Sequence, residues 1–236
     1  MHPPRETEAF SRKRATLERL LVEARRIFAE KGLAGARLEE IASAAGVTRQ
    51  LIYQYFSNKE TLFTSVLDES TAQIIKDLLS MDLDQLPPRQ ALTALLEYLF
   101  DQYGADPELR SLAQESFRLH EHGTHNQNRF GAIAAPLIEL IERILKRGVE
   151  SGDFLPDVDA RMFCGASMLL TTLWFTSRHI TSTATGFDTN TPAGLKAWRS
   201  YAIDFVLSAV LATNRPSLSR PRLTLASSAR PVRSNS

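Results

Sequence analysis

The residues best suited to chemistry stand in one short stretch, Thr48-Arg49-Gln50-Leu51-Ile52-Tyr53-Gln54-Tyr55-Phe56, with Lys59 just beyond it. Arginine and glutamine can grip a base edge through two parallel hydrogen bonds, arginine at guanine O6/N7 and glutamine at adenine N6/N7. Each such pair is worth about 1–3 kcal/mol of discrimination. Arg49, Gln50, Tyr53 and Gln54 fall at i, i+1, i+4 and i+5, one face of a helix. Ile52 and Phe56 make an i, i+4 apolar pair for packing. Arg49 and Gln50 are therefore the candidate base readers of a helix lying in a major groove. Lys59 falls at the start of a further helical pattern, where backbone N–H groups and the helix dipole already attract anions, so its ammonium suits a phosphate.

Other reactive residue types lack a frame. Serine, histidine and aspartate are all present, but no nucleophile elbow, glycine-rich phosphate loop or metal-binding helix motif surrounds them, so neither catalysis nor a cofactor is expected. His120, His122 and His125 have no cysteine nearby and lie in HEHGTHNQN, which reads as a helix end and loop rather than a metal site. The lone Cys164 cannot form an intrachain disulfide and reads as a small core hydrophobe. Phe100, Tyr103, Phe117, Phe130, Met168, Thr172 and Phe175, together with His120, combine aromatic bulk with occasional polar groups, as a small-molecule pocket between helices would. An ordinary core accounts for them equally well.

The elements that must position these residues are helical throughout. Leu17, Leu20, Leu21, Ala24, Ile27 and Phe28 recur at helical spacing with charges between them, and Gly32 ends the pattern. Leu38, Ile41, Ala42 and Ala45 repeat it over two turns before Gly46, and Thr48 can cap a third helix. Two short helices joined by Gly-Val-Thr make a helix-turn-helix. Ser57 or Asn58 caps a fourth helix running to about Met81. Further helices are expected at 88–104, 107–122, 128–151, 157–180 and 192–213, divided by proline, glycine and polar runs. The organisation that follows is all-α: a flexible basic arm (1–14), a helix-turn-helix domain (15–60), a larger helical domain (61–213) and a disordered basic tail (214–236).

Composition fits this plan. Hydrophobic residues make up 43% and charged residues 23% of the 236, enough apolar material for a sizeable core. The net charge is only +1 but unevenly spread. Residues 1–60 hold eleven Lys/Arg against eight Asp/Glu, residues 61–213 twelve against nineteen, and residues 214–236 five against none. A polyanion thus suits the N-terminal end and not the middle. The apolar stretch Met162–Phe175 is too short to span a membrane, and the N-terminus lacks an apolar signal region, so a cytoplasmic location is expected.

The run Gly46-Val47-Thr48 through Ile52-Tyr53-Gln54-Tyr55-Phe56-Ser57-Asn58-Lys59-Glu60-Thr61-Leu62 closely resembles the signature of the TetR/AcrR family of transcriptional repressors, and the resemblance covers about residues 15–65. It implies that Tyr53 and Tyr55 brace the helix with their rings and offer their hydroxyls to phosphates, and that Leu51 touches a thymine methyl or sugar. The family usually opens its second helix with Thr or Ser. Here Ala36-Arg37 stands instead; arginine cannot cap, and Arg37 is placed to reach a phosphate. The resemblance further implies a pocket for a small-molecule effector in the larger domain and a homodimer paired through the last two helical segments, bound to a near-palindromic operator on double-stranded DNA. A DNA-binding structural protein with no effector, and an enzyme with an accessory helix-turn-helix, are the alternatives.

Overall fold

In the computed structural model the described residues are 5–121 and 127–212, with side chains for 11–116 and 131–212. They form ten α-helices: α1 (Arg5–Gly35), α2 (Leu38–Ala45), α3 (Arg49–Tyr55), α4 (Lys59–Leu79), α5 (Pro88–Ala105), α6 (Pro107–Glu121), α7 (Gln127–Glu150), α8 (Ala160–Thr171), α9 (Trp174–Thr185) and α10 (Pro192–Ser208). The all-α expectation holds. A single-turn 3-10 helix, Leu83–Gln85, links α4 to α5.

Two apolar cores divide the molecule. Leu20, Ala24, Ile27 and Phe28 of α1, Ile41 of α2, Ile52 of α3 and Leu62 and Phe63 of α4 close the smaller one, with the Phe28 and Phe63 rings edge-on at 5.2 Å. The larger core gathers leucines of α5 and α7 with Phe163 of α8, Ile203, Val206 and Leu207 of α10, and Ile75 and Leu78 from the far end of α4. α4 therefore serves both cores. Its 21 residues are helical without a break, a rod of roughly 30 Å at about 1.5 Å per residue.

Three features differ from the sequence reading. Helix α1 begins at Arg5, so residues 5–14, expected as a flexible arm, extend the first helix; an i, i+4 ion pair at 2.9 Å between Arg14 and Glu18 and a bond from the Thr16 hydroxyl to the Arg12 carbonyl support this stretch. The segment 157–180 is two helices rather than one. Hydroxyls of Ser167, Thr171 and Thr172 all donate to carbonyls four residues back, and the Thr172 and Leu173 N–H groups share the Met168 carbonyl, which ends α8 before α9 restarts at Trp174. Finally, α10 stops at Ser208 instead of reaching 213. The chain after it pairs with the α7–α8 connection, Leu155 N–H donating to Val210 O at 2.8 Å and Ala212 N–H to Asp153 O at 3.0 Å. The basic tail expected at 214–236 lies outside the described residues.

Candidate functional site

The turn between α2 and α3 is built from its backbone upward. Gly46 takes φ 64°, ψ 37°, the left-handed conformation that glycine adopts without penalty, and its N–H and that of Val47 close the last turn of α2. Thr48 then caps α3, its hydroxyl oxygen accepting from the Leu51 N–H at 3.2 Å. Such a cap contributes about 1 kcal/mol. Ile52 is fully buried and Phe56 nearly so, fixing one face of α3 in the smaller core. The opposite face carries Arg49, Gln50, Tyr53 and Gln54, all exposed, with Leu51 half-buried beside them and Tyr55 exposed on the flank.

Arg49 is held in place. Its guanidinium donates to the Tyr53 hydroxyl at 2.9 Å, lies 5.4 Å from the centre of the Tyr53 ring, and pairs with the Glu39 carboxylate of α2. The Tyr53 hydrogen bond first, and then the Glu39 charge, raise its pKa still further above the usual arginine value. Glu39 was not evident from the sequence, because the pair spans two helices and has no periodic signature.

Lys59 sits at the start of α4 as expected, but its ammonium donates to the carbonyls of Ala36 at 2.9 Å and Ala34 at 3.4 Å. The charge clasps the α1–α2 connection, which leaves one ammonium hydrogen for an outside acceptor. The actual α4 cap is Asn58, whose side chain accepts from the Thr61 N–H at 2.7 Å. Arg37 is exposed at the N-terminus of α2 and makes no capping hydrogen bond, as its residue type dictates.

In the larger domain the structure brings together Phe100 and Tyr103 of α5 with Phe175 of α9, and adds Trp174 and Trp198, which sequence reasoning missed. Phe100 lies 5.0 Å from Phe175 and 6.3 Å from Trp174, and the two indoles stack at 4.9 Å. The break at Thr172 turns this part of α9 inward. Thr172 itself is buried, but its hydroxyl is spent on the Met168 carbonyl, and Met168 packs against the larger core. Burial pushes the Tyr103 phenol pKa up. The side chains of Phe117, His120 and Phe130, and the residues His122 and His125, lie outside the described residues. Cys164 is a buried member of the larger core, and burial pushes its thiol pKa up.

Helix α6 fastens the two halves. Arg25 of α1 pairs with Asp106, just before α6, and with Glu108 at 3.3 Å, while Leu112 of α6 is buried in the smaller core. At Gly32, where φ is 66° and α1 bends, the freed Leu33 N–H donates to the buried Glu115 carboxylate of α6 at 3.0 Å. Among the described residues no helix is long and apolar enough to cross a membrane.

Known proteins agree with this geometry. Residues 20–66 match the family model for bacterial regulatory proteins of the tetR family, and residues 88–206 match a tetracyclin repressor-like C-terminal domain. The chain is similar to the HTH-type transcriptional repressor NicS of Pseudomonas putida, 28% identical over 81% of this chain and 91% of that protein. Two solved structures share the fold. A putative transcriptional regulator, SCO4942 of Streptomyces coelicolor, has TM-score 0.59 and 24% identity over 83% of this chain and 98% of that one. The transcriptional regulator FadR of Bacillus subtilis in complex with stearoyl-CoA has TM-score 0.63 and 21% identity over 81% of this chain and 98% of that one. With a helix-turn-helix head that matches one family model and a helical body that matches another, the chain belongs to the TetR family of bacterial transcriptional regulators.

Proposed function

We propose that the protein is a cytoplasmic repressor that binds a near-palindromic DNA operator as a homodimer and is released by a small-molecule effector. The observation that carries this reading is the exposed face of α3. Four side chains able to meet base edges or phosphates stand on one short helix whose start, turn and buried side are all fixed by local bonds. Arg49 and Gln50 read bases, Leu51 and Gln54 lie against them, and Arg37, Tyr53, Tyr55 and Lys59 anchor phosphates, with Thr48 setting the helix start.

Dimerisation is supported by an outward apolar strip. Met162, Gly165, Ala166 and Leu169 lie one turn apart along the exposed face of α8, and Tyr201 and Phe205 along that of the adjacent α10. Met162 is 75% exposed, Leu169 61%, Tyr201 59% and Phe205 55%, values that a second copy of the same strip would lower. Leu207 of α10, by contrast, is buried within the subunit. A two-fold dimer spaces its two α3 helices by whole turns of DNA, roughly 34 Å or 10 base pairs each.

Effector sensing is supported by the aromatic cluster of α5, α9 and α10, and the FadR complex with stearoyl-CoA shows that a protein of this fold holds a small molecule. The test of the whole reading is selection of bound fragments from random DNA by the full chain. A two-fold-symmetric consensus, lost in Arg49→Ala, is the expected result. Retention of all fragments alike would favour a structural DNA-binding protein.

A further inference from the structure

The aromatic cluster has arginines on two sides, and their circumstances differ. On one side Arg199 of α10 is fully matched: it donates to both carboxylate oxygens of Asp101 at 2.8 and 2.7 Å and to Glu97 at 2.8 Å. Arg110 of α6 and Arg178 of α9 stand on the other. Arg110 lies 5.8 Å from the centre of the Phe175 ring, and Arg178 follows Phe175 by one turn on the same helix face. Neither has a carboxylate within ion-pair distance among the described residues. Arg110 spends one nitrogen on the carbonyls of Tyr103 and Gly104 at the end of α5. Asp106, whose charge acts on Arg110, is already occupied by Arg25 and by the Leu109 N–H. Burial, and then the like charge of Arg178, hold the Arg110 pKa below the usual arginine value, whereas Arg199 is raised by its acids.

A second observation concerns the same aromatic cluster. Trp174 is 4% exposed, and its indole N–H, like that of its stacked neighbour Trp198, is buried without a hydrogen-bond partner. Buried donors are ordinarily satisfied, so two adjacent orphans mark a spot where an acceptor is missing. Unneutralised guanidinia, orphaned N–H donors and stacked ring faces call for one kind of molecule: a flat apolar body bearing an anionic, hydrogen-bond-accepting group.

We propose that Arg110 and Arg178 form the anion-binding end of the effector site and that the effector is an aryl carboxylate whose ring lies against Phe175 and Trp174. This rests on the reading of the larger domain as an effector sensor. The carboxylate takes two guanidinium forks that no described side chain pairs with, and the ring extends the existing stack.

The chain contains two tryptophans, both in this cluster, so intrinsic emission reports the site directly. The full-length protein is titrated with benzoate, 3-phenylpropionate and 2-naphthoate, with 3-phenylpropionamide as the uncharged control and octanoate as the aliphatic acid. The expected result is a saturable change in tryptophan emission with at least one aryl acid, at least tenfold weaker binding of the amide and of octanoate, and at least tenfold weaker acid binding in Arg178→Gln and Arg110→Gln. Because Arg110 also closes α5, Arg178→Gln, which removes no hydrogen bond or ion pair of the described structure, keeps the test decisive if Arg110→Gln fails to fold. No response to any aryl acid, equal affinity for acid and amide, or unchanged acid affinity in Arg178→Gln overturns the anion site. Octanoate binding as tightly as the best aryl acid overturns the aromatic assignment. Operator binding by the effector-free protein is measured in parallel. A chain that binds operator but no aryl acid loses only this inference, and one that binds the acid but no DNA loses the regulator reading instead.

Discussion

The reading head and the larger domain place their polar groups in opposite ways. In the head, Arg49, Gln50, Tyr53 and Gln54 come from two turns of one helix and stand exposed, and Arg49 is bonded to Tyr53 and paired with Glu39. In the larger domain the aromatic cluster draws on α5, α9 and α10, its rings are largely buried, and two N–H donors inside it are unsatisfied. A partner as large as a DNA groove is met by a finished, rigid surface, because every contact can be made from outside. In the proposed reading, a small effector supplies the acceptors that the two indole N–H groups lack.

The strip proposed for dimerisation gives the sharpest way to break this contrast, since only pairing turns one reading face into two at fixed spacing. Leu169→Asp combined with Phe205→Asp puts charge on the exposed faces of α8 and α10 without entering the core. The variant is expected to sediment as a folded monomer with unchanged circular dichroism. Its operator affinity falls by about 10²–10⁴, the range set by losing the second, linked half-site. Leu207→Asp, at a buried position, is expected to unfold the subunit instead. Dimers persisting in the double variant would move the interface elsewhere.

Removing Arg49 comes next. Arg49→Ala is expected to cost about 1–3 kcal/mol at operator DNA for each subunit and much less at random DNA, because base contacts specify whereas phosphate contacts only position. Glu39→Gln sharpens the point. It frees Arg49 from a competing carboxylate and removes a negative charge facing the groove, so binding to random DNA is expected to rise while the operator preference narrows. Electrophoretic mobility shifts against both DNAs separate the two effects. Equal losses at both DNAs in Arg49→Ala would make Arg49 a phosphate contact.

How much of this was visible in the sequence follows from the same contrast. The head was legible because its determinants are local: Gly46, Thr48, Ile52 and Phe56 lie within eleven residues, and each acts on its near neighbours. The all-α architecture and the course of α4 were legible for the same reason. Glu39 beside Arg49 and Glu115 beneath Leu33 were not, since a contact across 10 or 82 positions leaves no periodic trace. The break between α8 and α9 was hidden because threonine is compatible with helix. It acts here through hydroxyls turned back on the carbonyls, which only the three-dimensional path reveals. That break is also why Trp174 escaped notice: read as one helix, 157–180 gave no reason to turn it inward.

A smaller effect tests how the two regions communicate. Helix α4 runs unbroken through both cores and so offers one link between them. Helix α6 offers a second link, through Arg25 at one end and Glu115 at the other. Glu115→Ala leaves the Leu33 N–H without this acceptor, at a cost of about 1–3 kcal/mol if no water replaces it. Urea unfolding is expected to show a loss in that range. If α6 carries part of the coupling, the ratio of effector affinities with and without operator also moves toward one. A variant that loses stability but keeps the ratio would leave α4 as the sole conveyor.

The smallest expected effect, and the most discriminating about a single residue, concerns Lys59. By sequence it is a phosphate ligand at the start of α4. By geometry it is a clasp, with its ammonium on the carbonyls of Ala36 and Ala34. The two roles are compatible, because an ammonium has three hydrogens and a phosphate can take the one left over, but they predict different losses. As a clasp, Lys59 contributes about 1 kcal/mol to the head, the usual net worth of such hydrogen bonds. As a phosphate ligand it adds about 0.9 to the salt-dependence slope of DNA binding for each subunit. Lys59→Met keeps the alkyl stem and removes both the donors and the charge. The expected outcome is a stability loss of about 1 kcal/mol in urea, equal weakening at operator and random DNA, and a slope shallower by about 1.8 in the dimer. A stability loss with an unchanged slope would remove Lys59 from the DNA contacts and leave it holding the α1–α2 connection beneath the reading helix.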